Sequence, residues 1–146
     1  MTLENLVGIG RLKAHKAAPE EICRLLTSAA ASLADAKRKE NSLNSRLDLA
    51  YKAIMQSALA ALMANGYRPS TSEPGHQQTT IQTLPKTIGL APEKVRLFDS
   101  FRRARNVADY EGDPVEEGLV SGCIEAAESL LGAVRAWLKD NPPDRP

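Results

Sequence analysis

Basic and polar side chains are concentrated in residues 101–110, which read Phe-Arg-Arg-Ala-Arg-Asn-Val-Ala-Asp-Tyr. At about 100° per residue, a helix would bring four of them onto one face: Arg102, Arg105, Asn106 and Asp109. A guanidinium offers a rigid fork of donors to phosphate oxygens, so this cluster is a candidate phosphate-binding site. The spacing also fits an ordinary salt-bridged helix surface, since Arg105 and Asp109 are four residues apart. Spacing alone therefore identifies no reaction.

The histidines and cysteines offer little further chemistry. His15 and His76 are the two histidines. His76 is a weak candidate for a catalytic partner of Arg105, and the alternative is a structural or exposed side chain. Cys23 and Cys123 lie in apolar helical patterns without metal-ligand spacing, so both are expected to be buried free thiols. The sequence thus indicates no metal site and no cofactor.

The composition is that of a globular domain that contains few aromatic residues. The chain has 146 residues, 42% of them hydrophobic and 4% aromatic, and it is rich in Ala and Leu, which favour helices. Its net charge of +1 gives no general attraction to nucleic acid or membranes, so such a role requires a local patch. The sequence predicts no membrane span and no signal peptide, and a cytoplasmic location is expected by default.

Hydrophobic periodicity predicts an all-α fold, an up-and-down antiparallel bundle of four to five helices. Residues 1–18 are expected to form a short helix and a linker, 19–140 the bundle, and 141–146 a disordered tail. The main helices are predicted over 19–39, from the cap at Ser42 to the Asn65-Gly66 stop, from Pro92 to Gly112, and over 115–140. No strand is expected. Residues 11–16 read as a solvated connection, 68–75 as a loop, and 76–88 as helix interrupted at Pro85.

Residues 105–110, Arg-Asn-Val-Ala-Asp-Tyr, resemble the signature of HEPN domains. These are small helical proteins found with minimal nucleotidyltransferases and in toxin–antitoxin systems. Their motif is an arginine, often a polar residue, then four to six residues and a histidine. Residues 46–51, Arg-Leu-Asp-Leu-Ala-Tyr, resemble the early helix of the family, and 64–69 with Gly75-His76 resemble its turn and His-bearing segment. A long final helix completes a resemblance that covers 19–139.

The resemblance implies metal-independent RNA cleavage at a cleft shared by two copies of the chain. Arg105 would hold the phosphate, Asn106 takes the polar position, and Tyr110 occupies the position of the motif histidine. Tyrosine has a reference pKa of about 10, which makes it a poor base, although it can still donate a hydrogen bond or stack on a base. Asp48 takes the place of the early-helix polar residue that faces the arginine in some relatives.

Three functions follow as hypotheses. The first is a HEPN-like homodimer that binds RNA or nucleotide and regulates a toxin–antitoxin or nucleotidyltransferase-associated system. It would use Arg102, Arg105, Asn106 and Tyr110, with Asp109 and Asp48 as further binding residues. An antitoxin or nucleotidyltransferase would be a further partner. The second is an active ribonuclease toxin in which Tyr110 or His76 replaces the histidine. The third is a non-catalytic helical module that binds another protein.

Overall fold

A computed structural model describes residues 2–72 and 75–142 of the chain. Across these ranges the elements run α1 (Leu3–Gly8), β1 (Leu12–Ala14), α2 (Pro19–Ala36), α3 (Leu43–Ala64), β2 (Tyr67–Pro69), α4 (His76–Gln82), α5 (Leu84–Thr87), α6 (Pro92–Glu111) and α7 (Glu117–Asp140). The described chain is mostly helical, which confirms the helical class predicted from the sequence.

The helix boundaries follow local signals in the sequence. The Ser42 hydroxyl accepts a hydrogen bond from the backbone N–H of Ser45 and so caps α3. Proline stands in the first turn of both α2 and α6, where its missing N–H costs no helical hydrogen bond. Gly66 and Gly112 follow the ends of α3 and α6 with φ of 93° and 69°, a left-handed conformation that suits glycine.

Two predicted boundaries are wrong by a few residues. Helix α2 ends at Ala36 rather than at residue 39, since the backbone N–H of Arg38 bonds to Asp35, three residues back, instead of four. The carbonyl of Ala36 accepts a 2.7 Å hydrogen bond from Nε of Arg46, which satisfies the end of the helix. Helix α7 begins at Glu117 rather than at Val115, since Glu116 has extended backbone angles and takes the capping position. The predicted interruption near Pro85 is confirmed, since α4 and α5 are separate helices and the proline lies in the first turn of α5.

Helix α3 is the centre of the core. It packs against α2, α4, α5, α6 and α7, and it buries alanines on several sides, where small side chains let neighbouring helices approach closely. The α2–α3 pair is antiparallel, since Arg46 contacts Ala36 near the connecting loop and Gln56 contacts Ser28 further along both helices. Arg46 itself is 8% exposed, so its charge is buried against the end of α2.

The two short strands were not predicted. They pair antiparallel, with Lys13 opposite Arg68 and Leu12 opposite Pro69. Part of the stretch expected to be a solvated connection therefore contributes to the core, since Leu12 is 2% exposed. Proline is tolerated in β2 because hydrogen-bonded pairs alternate along the ladder, and Pro69 falls between two of them. The sheet links the N-terminal segment to the end of α3.

The two cysteines differ in their exposure. Cys123 is buried as predicted, but Cys23 is exposed, because it lies on the outer side of α2 while its neighbour Ile22 faces the core. Residues 143–146 of the predicted tail and 73–74 of the predicted loop lie outside the described residues. Within the described part of the chain, no helix combines the length and apolar character that a membrane crossing requires.

Candidate functional site

Arg105 links α6 to α3. The buried side chains of Phe98, Phe101 and Ala108 fix α6 against the core, and Arg105 emerges beside them with 29% of its side chain exposed. Its Nε donates a 3.0 Å hydrogen bond to Oδ1 of Asp48 on α3. Oδ2 of Asp109, one turn along α6, lies 3.8 Å from the same nitrogen. Two residues singled out in the sequence, Asp48 and Asp109, therefore lie beside the arginine.

Tyr51 lies against Arg105 on the side of the protein core. The guanidinium carbon lies 5.2 Å from the centroid of the Tyr51 ring, which is within the range of a cation–π interaction. The ring is 2% exposed, and its hydroxyl donates a 3.0 Å hydrogen bond to Oε1 of Gln77 on α4. Burial raises the pKa of Tyr51 to about 12, although the positive charges of Arg105 and Arg102 favour the phenolate. Tyr51 is therefore neutral at physiological pH.

A surface cavity of about 270 Å³ opens beside this pair. Its walls come from α3, α4 and α6, and they combine acidic, basic, amide, aromatic and aliphatic groups: Asp48, Leu49, Tyr51, Lys52, Met55, Gln77 and Arg105. Lys52 is a second cation of the cavity. It lies on the same face of α3 as Asp48, because it follows that residue by four positions. A small polar ligand could contact both cations there.

Arg102 is occupied by a different carboxylate. Its Nε donates a 2.7 Å hydrogen bond to Oδ1 of Asp99, and Arg103 lies 3.0 Å from Oδ2 of the same residue. The hydrogen bond from Arg102 is the largest of several contributions that hold the pKa of Asp99 below its usual value. Arg102 and Asp99 are 20% and 14% exposed, so this pair is largely shielded from water. Arg102 is not one of the residues that line the Arg105 cavity. Its positive charge lies near Tyr51 and favours the phenolate form of that side chain.

Over the described residues, Arg105 forms no side-chain hydrogen bond or ion pair with Tyr110, His76 or Asn106. Tyr110 is 89% exposed and points into solvent from the last turn of α6. His76 is half-buried at the start of α4, and its neighbour Gln77 lines the cavity in its place. Asn106 is half-buried on α6. Within one copy of the chain, the proton-transfer groups proposed from the sequence are therefore separate from the arginine.

Sequence reasoning missed Tyr51, Lys52 and Gln77 as parts of the site. The first two carry a usable signal, because they follow Asp48 by three and four residues and so share its face of α3. Gln77 carries none, since its contact with Tyr51 depends on how α4 packs. In the described ranges no cluster of three or more His, Cys, Asp or Glu side chains could hold a metal ion.

Arg105 uses only part of its hydrogen-bonding capacity within the described residues. A guanidinium has five N–H donors, and over the described residues the side-chain hydrogen bond of Arg105 comes from Nε, while its face lies over the Tyr51 ring. Comparisons with protein-family models, with curated proteins and with solved structures find no match for this chain.

Proposed function

We propose that this chain is a HEPN-like protein that binds RNA or nucleotide through Arg105 and does not cleave it. One observation carries the proposal: Arg105 reaches across from α6 to Asp48 on α3 at the edge of a cavity, and within the described residues only its Nε donates a hydrogen bond. This pairing joins the two segments, 46–51 and 105–110, on which the resemblance to the family rests. Fixing Nε with a carboxylate leaves the outer side of the guanidinium directed at a phosphate.

The groups around the arginine support the proposal of binding without cleavage. Attack by a ribose 2′-OH needs a group that exchanges protons near neutral pH. Tyr51 is the ring in cation–π contact with Arg105, and burial raises its pKa to about 12. Within one copy of the chain, Tyr110 at the position of the motif histidine faces solvent, and Gln77 rather than His76 lines the cavity. Binding therefore fits these residues better than catalysis does.

Exposed apolar groups on α6 support an additional protein partner. Leu97, Val107 and Tyr110 are 40%, 47% and 89% exposed, and Val107 and Tyr110 are neighbours on the helix surface because they are three residues apart. A second copy of the chain, as in the HEPN resemblance, is the proposed occupant. An antitoxin or nucleotidyltransferase partner, and with it a role as a helical interaction module, is the second candidate.

Fluorescence anisotropy with a labelled single-stranded RNA tests the binding proposal. Arg105→Gln is expected to weaken binding roughly ten-fold, corresponding to the loss of about 1.4 kcal/mol from a charge-assisted contact. The slope of affinity against salt should also fall by about 1. Arg103→Gln is the matched control, since Arg103 is 72% exposed on the same helix and lies outside the cavity. Equal affinities for the two variants would refute the assignment of Arg105.

A further inference from the structure

The small sheet holds two like charges directly opposite each other. Lys13 of β1 and Arg68 of β2 are cross-strand partners, and both side chains are exposed. The main-chain hydrogen bonds from His15 to Gly66 and from Ser70 to Arg11 flank the pair. Cross-strand partners project from the same face of a sheet with Cβ atoms about 5 Å apart, and like charges at that spacing are destabilising. The stability of the sheet therefore does not explain why Lys13 and Arg68 are paired.

The two cations also border a cavity. It has a volume of about 380 Å³, within the range of small-molecule sites, and it lies between the sheet and the ends of α2 and α3. The apolar lining residues are Leu59, Met63 and Pro69. The polar lining residues besides Lys13 and Arg68 are His15, Glu21 and Thr71. The lining thus combines a pair of cations with apolar side chains.

Carboxylates of the described residues do not neutralise Lys13 and Arg68. Over residues 2–72 and 75–142, neither side chain forms an ion pair. Glu21 is the one carboxylate among the lining residues, and its Oε2 lies 2.9 Å from Nε2 of His15. Glu21 is therefore already engaged. A ligand with negative charge would relieve the repulsion between Lys13 and Arg68.

We propose that this cavity binds a nucleoside monophosphate. Lys13 and Arg68 contact the phosphate, the Thr71 hydroxyl donates to it, and the base lies against Leu59 and Met63. The site is distinct from the one at Arg105, because the two cavities share no lining residue. The cavities are neighbours on α3, since Met55 of the Arg105 cavity and Leu59 of this one are four residues apart, about 6 Å along the helix axis.

Titration of ¹⁵N-labelled full-length protein with AMP, followed by NMR, tests the proposal. Backbone signals of 12–15 and 67–71 should shift, and the double variant Lys13→Gln/Arg68→Gln should bind AMP at least ten-fold more weakly. Lys94→Gln/Arg135→Gln is the control, because it removes two exposed charges from α6 and α7. Inorganic phosphate should perturb the same signals with lower affinity, since it lacks a base. AMP shifts confined to the Arg105 cavity, or equal affinity for phosphate and AMP, would overturn the proposal.

A charge-reversal variant separates binding from folding. Lys13→Glu places a carboxylate opposite Arg68, so the melting temperature should rise while AMP binding is lost. Loss of AMP binding together with a lower melting temperature would mean that Lys13 serves the fold, and it would contradict the proposal. Arg105→Gln should leave AMP binding at the sheet unchanged, so failure of the Arg105 site and failure of this one are distinguishable.

Discussion

Nε of Arg105 lies 3.0 Å from Oδ1 of Asp48, although the two residues are 57 positions apart in the sequence. This hydrogen bond joins α6 to α3 and orients the arginine at the edge of its cavity. Asp48 is 47% exposed and Arg105 is 29% exposed, so water screens the pair and its direct contribution to stability is small. Its main effect is to fix the direction of the guanidinium.

A double-mutant cycle measures that contact. Combining Asp48→Ala with Arg105→Ala in urea denaturation should give a coupling energy of about 0.5 kcal/mol, in the range of partly exposed ion pairs. Asp48→Asn alone should strengthen RNA binding several-fold, because the amide keeps an acceptor oxygen and loses the negative charge beside the phosphate. A coupling energy of zero, with unchanged RNA affinity, would mean that the pair does not form in solution.

Arg46 should contribute more to the free energy of unfolding than an exposed arginine does. It is 8% exposed, and it satisfies the terminal carbonyl of α2 at 2.7 Å. Arg46→Met keeps most of the aliphatic volume but leaves that carbonyl without a donor. The free energy of unfolding should fall by about 2 kcal/mol, measured by urea denaturation. Arg38→Met, at a site 67% exposed, is the control and should change it by less than about 0.5 kcal/mol.

Asp99 should contribute to the acid sensitivity of the fold. Hydrogen bonding to Arg102 keeps its pKa below the ordinary value of 3.8. A carboxylate whose pKa is lowered by folding stabilises the protein above its unfolded-state pKa, and this contribution disappears as the pH falls through the folded-state pKa. Asp99→Asn should therefore destabilise the protein by about 1–2 kcal/mol at neutral pH. The difference from the unmodified chain should shrink as the pH falls below 3.8.

Thermal unfolding followed by circular dichroism at several pH values checks this dependence. Asp113→Asn, in the exposed loop before α7, is the control and should leave the melting curve nearly unchanged at each pH. A destabilisation by Asp99→Asn that stayed constant from neutral pH to about pH 2 would show that the carboxylate charge is not responsible.

Local sequence signals predicted the helices and most of their ends. Ser42, Pro92 and Gly112 each act through backbone chemistry within a few residues, so no knowledge of the tertiary fold was needed. The strands escaped prediction because each has only three residues and pairs with a distant segment. The exposure of Cys23 was also not predicted, because the width of the buried face of α2 depends on how the neighbouring helices pack against it.

The candidate site was predictable only in part. Arg105 and Asp109 lie on the same helix, so their proximity follows from a spacing of four residues. Arg102 also lies on α6, but its spacing allows more than one carboxylate partner. In the structure it pairs with Asp99 rather than with the predicted cluster. The contacts of Arg105 with Asp48 and Tyr51 need the packing of α6 on α3, which no local pattern encodes.

The most direct test of the central claim is incubation of purified protein with an RNA labelled at both ends, without metal. Binding and RNA length are read from the same samples by native and denaturing gels. The RNA is expected to be bound and intact, with binding reduced by Arg105→Gln and retained by Arg103→Gln. Shortened RNA whose formation is abolished by Arg105→Gln would identify a ribonuclease and contradict the claim of binding without cleavage. RNA that remains unbound would refute the Arg105 site itself.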